Sequence, residues 1–435
     1  MSEGCLNTAQ RIKSDTDKYD KMRMNKSSNF GKFILLWVGE LISSIGGGLT
    51  SFGLGVYIFK TTGSAAGMAL VTLLGFLPTL LFSVPAGVLA DRYDRRLLMM
   101  IGDGFSAIGI VYILICMLRG EATLMQICIG VFVSATFSAL LEPSFKATIT
   151  DLLTKEEYSK ASGLVSLAGS ARYLFSPVIA GFLLGVSDVK LLLVIDICTF
   201  FLTVISAAVV RKSIAVSSER EQEPFFESMK EGWNVFSGNK GVLTLVAVSC
   251  AITLFMGMFQ ILAEPLILAF KDAKTLGVAE TICACGMLVS GLVLGVRGVK
   301  SGYVRVLGIS LAMAGICMAG FGLIENMIPI CIFGFGFFAA LPFANNCLDY
   351  LVRTNIADVV QGRAWGMIGF LSQIGYVIAY AISGVAADKL GQFVGLGVGR
   401  GAAVVVRIAG ICLALVALIC LLSASIRRLE KAYQG

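Results

Sequence analysis

Twelve stretches of this 435-residue chain are long and apolar enough to cross a lipid bilayer, which removes most of the folds open to it. Hydrocarbon offers no water to satisfy backbone N–H and C=O groups, so a spanning segment must be a helix or part of a closed barrel. The lengths point to helices, because roughly 20 helical residues cover about 30 Å of hydrocarbon and a barrel strand needs only ~10. The runs fall at 33–59, 65–90, 97–118, 123–146, 161–187, 189–210, 241–270, 276–296, 303–323, 327–350, 363–387 and 402–425. Glu280 interrupts the eighth, and the fifth carries Arg172 among several Ser and Gly residues. Hydrophobic residues make up 57% of the chain and charged ones 14%, against about 25% charged in soluble domains. The chain reads as an all-α integral membrane protein of twelve helices in two sets of six. These are 33–210 and 241–425, joined by 211–240 and flanked by polar tails at 1–32 and 426–435.

An even number of spans puts both ends of the chain on one side. If that side is the cytoplasm, its segments hold 26 of the 35 Lys and Arg residues and the opposite loops hold 7, with Arg172 and Arg407 inside spans. The positive-inside rule then places both termini in the cytoplasm. This membrane-facing basic surface accounts for the net charge of +7, so nucleic acid is not an expected partner. The 1–32 segment does not read as a cleaved signal, because the apolar run after it is too long and lacks a small-residue cleavage pattern.

Histidine is absent, and the 12 cysteines include no C-x-x-C pair; Cys283 and Cys285 are two apart. The usual zinc and haem sites are therefore not expected, nor is any other cofactor. No nucleophile–base constellation suggests an enzyme, and no G-x-x-x-x-G-K-[ST] loop suggests ATP coupling. In 211–240, Phe225, Phe226, Met229, Trp233 and Phe236 share one helical face, with Glu227, Lys230, Glu231 and Asn234 mostly on the other. That pattern predicts an amphipathic helix on the membrane surface tying the two halves together.

Between the second and third runs lies Gly87-Val88-Leu89-Ala90-Asp91-Arg92-Tyr93-Asp94-Arg95-Arg96, five charges in one short connection. The halves also echo one another. Gly163 precedes Gly181 by eighteen residues and Gly366 precedes Gly384 by eighteen, while Glu142-Pro143 and Leu341-Pro342 stand at matching places. A parallel six-span duplication about an axis along the membrane normal produces such offsets.

On these residues the chain resembles the major facilitator superfamily of secondary transporters. The loop signature there, G-x-L-A-D-R-x-G-R-[RK], is filled here by Gly87, Leu89, Ala90, Asp91, Arg92, Arg95 and Arg96, with Asp94 where the pattern has glycine. More narrowly, the chain is similar to the macrolide-efflux and siderophore-exporter branch. The supporting stretches are Thr61-Thr62-Gly63-Ser64-Ala65, Gly75-Phe76-Leu77-Pro78, Ser176-Pro177-Val178-Ile179-Ala180, Ile195-Asp196 and Gly384-Val385-Ala386-Ala387-Asp388-Lys389. The resemblance implies that Gly87, Asp91, Arg92, Arg95 and Arg96 form a cytoplasmic latch between the halves, with Gly87 allowing close helix approach. It also implies that spans one, four, seven and ten surround a central cavity. Pro177 is expected to kink the fifth span, a region that related exporters associate with export direction.

Charges inside spans are costly unless they face water or a partner. Glu40, Glu142, Arg172, Glu264 and Asp349 are of this kind and form the candidate proton-coupling and cavity set. A carboxylate that alternately meets Arg172 and an apolar wall could take up and release a proton, so Glu40 and Glu142 come first. The alternatives are a static Arg–Glu pair and, for Glu264 and Asp349, snorkelling toward the interface. Asp103, Asp196, Glu280 and Arg407 fall near span ends and are set below these. Gln260, Asn345, Asn346 and Gln373 are candidates for orienting a substrate.

The expectation is a monomeric exporter in the bacterial inner membrane. It would move a small amphipathic drug or natural product outward by alternating access, in exchange for protons. A lipid or lysolipid flippase, a nutrient importer on the same fold, and a non-transporting sensor or scaffold remain alternatives.

Overall fold

In a computed structural model, residues 29–212, 240–356 and 361–432 are described, and twelve helices among them are long and apolar enough to cross a membrane. The spans are Phe30–Thr62, Ala65–Arg92, Arg95–Arg119, Leu124–Leu152, Lys160–Val186, Val189–Lys212, Gly241–Leu268, Ala273–Arg297, Tyr303–Phe321, Met327–Thr354, Met367–Val394 and Val398–Leu422. The segment carrying Phe225, Phe226, Met229, Trp233 and Phe236 lies outside the described residues.

Local chemistry sets where these helices start and break. Ser64, Asp94, Thr123, Asp272 and Asn326 each cap a span N-terminus by accepting a backbone N–H, which satisfies one of the orphan donors there. Asp272 is outside the membrane segment, and the Thr275 hydroxyl and amide hold its carboxyl below the usual aspartate range. The fourth span divides into Leu124–Ser138 and Leu141–Leu152, just ahead of Pro143. The fifth divides at Phe175 into Tyr158–Leu174 and Ser176–Val186, with Pro177 in the first turn of the second piece. Proline has no N–H to give the preceding turn, so the expected kink appears as an interruption at Phe175, which still donates to Ala171 O and accepts from Ile179 N–H.

The spans group as two six-helix bundles. The first packs spans one with six, three with four and six, and two with four; the second packs seven with eleven and twelve, eight with ten, and nine with ten and twelve. Small residues set the closest approaches, as is usual where lipid supplies no hydrophobic drive between helices. A side chain on Gly109 would collide with the backbone of Gly130, and one on Gly315 with that of Gly410. Beyond the twelfth span, Ala424–Ala432 forms a short helix whose Ile426 and Leu429 are buried, with Leu429 filling the space beside Gly241.

The two bundles meet mainly along two seams, span two with span eleven and span five with span eight. Exchanging the halves exchanges the seams, as an axis along the membrane normal requires. Both seams lie toward the face opposite the one bearing Asn29, Arg92 and Leu422. The latter is called the basic face here, since its segments carry most of the Lys and Arg. The core shared by the bundles draws from the first half Leu49, Phe52, Val56, Ala65, Ala69, Ala180 and Leu192, all in the opposite-face halves of their spans. At the basic face, Phe33, Leu36, Met99, Phe145, Leu152 and Val210 form a cluster made of first-bundle residues. Among the described residues, the bundles are thus closed together at one face and parted at the other.

Candidate functional site

The parted side exposes polar residues that membrane helices normally hide. On the fourth span Glu142, Lys146 and Thr150 stand one turn apart and all are exposed. Glu142 accepts from Lys146 at 2.5 Å, with side chains 76% and 59% accessible. On the tenth span the buried stripe runs through Leu341, Ala344, Cys347, Leu348 and Leu351, which leaves Asn345, Asn346 and Asp349 exposed on the far side of the helix. Such faces are tolerated in a bilayer when they meet water.

Farther along the interface between the bundles lie aromatic rings. Phe76 of the second span sits 5.6 Å from both Tyr376 and Tyr380 of the eleventh, edge-on to Tyr380. Tyr380 donates to Gln260 Oε1 at 2.9 Å, and Tyr376 to Met256 Sδ at 3.1 Å. Tyr173, 55% exposed, and Arg172 lie within electrostatic reach of Tyr380. Gln373 is half-buried one residue from Ser372, whose hydroxyl meets that of Ser249 at 2.7 Å. Gln260, Arg172 and these rings are therefore brought together. The rings carried no in-span charge to draw attention in the sequence, although Phe76 lies in one of the stretches that carry the resemblance.

The in-span charges assemble differently from expectation. Arg172 forms no ion pair with Glu40 or Glu142 among the described residues; the carboxylate within its electrostatic reach is Asp196 of the sixth span. Asp196 and Asp103 belong not to exposed span ends but to the interior of the first bundle, 1% and 2% accessible. Glu40 lies within electrostatic reach of both Asp103 and exposed Glu142. Glu264 does not snorkel: it is inserted between the bundles, its Oε2 against Gly55 and its carboxyl beside Glu280 of the eighth span. Helical twist explains these differences. Sequence position gives depth, but the face each residue presents depends on how the bundle packs.

At the basic-face loop, Asp94 caps the third span by accepting Arg96 N–H at 3.1 Å and also accepts from Arg211 Nε at 2.6 Å. Its φ of −60° asks for no glycine. Arg95 donates to Asp151 at 2.7 Å and to Ala147 O at 2.8 Å, and lies 3.6 Å from Asp91. Arg96 reaches the other oxygen of Asp151 at 3.3 Å. Asp151 escapes a reading of the loop alone because it sits at the end of the fourth span. All these partners belong to the first bundle, Arg92 is exposed, and a side chain on Gly87 would meet nothing within 4 Å. The close approach expected at Gly87 is absent in this arrangement because the bundles are parted there.

At the opposite face the seams are tight. Asp388 Oδ1 accepts Ala65 N–H at 2.9 Å, and Oδ2 accepts the Ser64 hydroxyl at 2.6 Å and Ala66 N–H at 3.2 Å. The carboxylate of the eleventh span thus sits on the positive N-terminus of the second. Side chains placed on Gly181 and Gly384 would fall 2.6 and 2.5 Å from the carbonyl oxygens of Ala273 and Ala65. Thr281 adds a hydrogen bond to Leu174 O at 3.0 Å.

A bundle pair with seams at two-plus-eleven and five-plus-eight, a parted face and a charged two-to-three loop agrees with comparison against known proteins. The model of the Major Facilitator Superfamily matches residues 36–380. The chain belongs to this superfamily. Macrolide efflux protein A of Streptococcus pyogenes is 27% identical over 379 residues, covering 85% of this chain and 92% of that protein. The Staphyloferrin A transporter of Staphylococcus aureus is 23% identical, covering 79% and 83%. Among solved structures, a bacterial homologue of the human lysosomal transporter Spinster superposes with a TM-score of 0.69 at 14% identity, over 94% of this chain and 98% of that one. This facilitator-superfamily protein is a multi-pass membrane transporter rather than an enzyme.

Proposed function

We propose that the protein is an exporter of a small amphipathic drug or natural product, macrolide- or siderophore-like, acting as a monomer in the bacterial cell membrane. The basic face is cytoplasmic, as the Lys and Arg excess favours. Cargo enters there between the polar faces of spans four and ten and rests against Phe76, Tyr376, Tyr380, Gln260 and Gln373. Asn345 and Asn346 offer hydrogen bonds on the way in, and the rings offer apolar area with a few fixed polar groups, the usual make-up of a small-molecule site. The seams at Asp388 and Gly181 then part while the latch at Asp91, Arg92 and Arg95 closes the cytoplasmic end, and inward proton movement drives the cycle. The observation that supports this reading best is the polar-walled opening on the basic face ending in an aromatic floor, in a chain whose relatives carry efflux names.

The test is transport in proteoliposomes under an imposed pH gradient, with a macrolide, a carboxylate siderophore and a lysolipid as separate cargoes. Gradient-driven movement of the macrolide or the siderophore out of the basic-face compartment is the expected result. Movement that ignores the gradient, or that is confined to the lysolipid, replaces this reading with a facilitator or a flippase.

A further inference from the structure

Among the described residues, the buried polar side chains are unevenly shared. Thr50, Asp103, Ser106, Ser134, Asp196, Thr199, Thr203 and Ser206 lie in the membrane interior of the first bundle, whereas the second holds Ser290, Ser310 and Ser383. Four of them, Asp196, Thr199, Thr203 and Ser206, recur at three- and four-residue spacing down one face of the sixth span, so they form one stripe about 15 Å long at 1.5 Å per residue. The first span meets this stripe with glycine. A side chain on Gly39 would strike Ser206 Oγ, and one on Gly46 would fall 2.9 Å from Asp196 Oδ1. Glycine there lets the backbone of the first span come directly against the stripe, as small residues do at close helix contacts in membranes.

The stripe is not hydrogen-bonded to completion. Thr203 lies beside Asp103 but its hydroxyl donates to the carbonyls of Thr199 and Phe200. Thr199 likewise donates to Asp196 O at 2.7 Å and reaches Asp196 Oδ1 at 3.5 Å. Asp103 Oδ1 is left buried with no partner, and so is the hydroxyl of Thr50, 5% accessible and facing Asp196. The charged groups around Asp103 are Glu40 and Asp196, both acidic; around Asp196 the cation is Arg172; around Glu40 the further charge is Glu142, which pairs with Lys146. Acidic groups crowded in a dry site, with bare oxygens and few donors, do not all stay ionised. No three carboxylates, thiols or imidazoles among the described residues converge as ligands to one metal ion, so a proton fits the arrangement better than a metal cation.

We infer that Asp103 and Asp196, with the Thr50 hydroxyl, form a proton-binding site inside the first bundle, between spans one, three and six and apart from the substrate opening. The proton enters from water at Glu142, passes Glu40 and is held at the two aspartates. Its arrival at Asp196 removes a negative charge within electrostatic reach of Arg172, which shifts the balance of Arg172 toward Tyr380 at the floor of the opening. The use of the site in transport rests on the exporter reading; its occupancy by a proton does not.

Infrared spectroscopy of the full chain in liposomes, titrated from acidic to neutral pH in sodium-free buffer, reads protonated carboxyls directly. The expected wild-type spectrum at neutral pH carries a buried carboxylic-acid band, and difference spectra against the variants isolate the part that belongs to the site. Asp103→Asn and Asp196→Asn should each remove part of it, while Glu325→Gln, at an exposed pair with Arg400, should leave it unchanged. Thr50→Val keeps both aspartates and should shift the Asp196 component, which covers the case of an asparagine variant that does not fold. A wild-type chain without such a band, a band unmoved by all three site variants, or a band abolished by adding sodium chloride in place of choline chloride would overturn the assignment. Macrolide transport with a trapped pH dye is measured on the same variants. A band lost with proton flux intact would sink the coupling role while leaving the binding site standing.

Discussion

Ser64 and Asp388, 324 residues apart in the chain, meet at 2.6 Å across the seam between the bundles. The same carboxylate accepts the N–H groups of Ala65 and Ala66, so a side chain of the eleventh span caps the helix dipole of the second. Ser64 in turn caps its own helix by accepting from Gly67 at 3.1 Å. Two short stretches that carry the resemblance to the macrolide-efflux and siderophore-exporter branch therefore form one contact.

Removing that charge should favour the arrangement open at this face. A hydrogen bond to a charged group is worth about 1.5–3 kcal/mol, so Asp388→Ala should move the balance between the closed and open face by roughly tenfold or more. Distance measurements by pulsed electron resonance between labels on spans two and eleven would show a broadened or lengthened separation. An unchanged distribution would remove Asp388 from the seam.

The seam glycines should be intolerant where their counterparts are not. Gly181→Leu and Gly384→Leu push against backbone carbonyls that cannot yield as a flexible side chain would, and overpacking costs about 1–3 kcal/mol. Both should lower transport and loosen the closed face, while Gly163→Ala and Gly369→Ala, with nothing within 4 Å, should be neutral. Transport rates and thermal unfolding of the four variants check this.

Depth along the membrane was legible in the sequence; orientation around each helix was not. The twelve spans, the kink at Pro177 and the repeated Gly181 and Gly384 all follow from hydropathy, proline chemistry and spacing. Glu40 and Glu142 sit at the depth expected, yet one lies within electrostatic reach of Asp103 and the other pairs with Lys146. Asp196 was misjudged because seven residues from a span end reads as interfacial, whereas the helix turns it inward against Gly46. The aromatic floor was hidden for a similar reason: Phe and Tyr in apolar runs look the same facing lipid or cavity, and packing alone separates them.

At the basic face, Asp151 serves both Arg95 and Arg96 and should matter more for stability than Arg92. Truncating it leaves Arg96, 3% accessible, buried beside a missing partner. Asp151→Ala should cost about 1.5–3 kcal/mol, the scale of lost charged hydrogen bonds, and Arg92→Ala, exposed, about 0.5 kcal/mol or less. A drop in transport by Arg92→Ala without loss of stability would fit the latch proposed for it; a stability loss equal to that of Asp151→Ala would contradict it.

The Asp272 cap gives a pH signature. Its carboxyl is held low in the folded protein by Thr275, so its stabilisation is complete above the usual aspartate range and fades as pH falls through the lowered value. Asp272→Ala should cost about 1 kcal/mol at neutral pH, as helix caps generally do, and progressively less in acid. Unfolding midpoints of wild type and variant should converge as the buffer is acidified; a constant gap would mean the charge is irrelevant there.

The most direct test of the account as a whole asks which compartment reaches the polar faces of spans four and ten. Single cysteines at positions 142 and 346, in a background cleared of the native ones, are exposed to a membrane-impermeant thiol reagent in vesicles of known orientation. The expected result is labelling from the cytoplasmic side, with cysteines at 180 and 387, in place of fully buried alanines of the closed side, protected from both sides. Labelling of 142 and 346 from the outside alone, or from neither side, would contradict the opening on the basic face and the export route built on it.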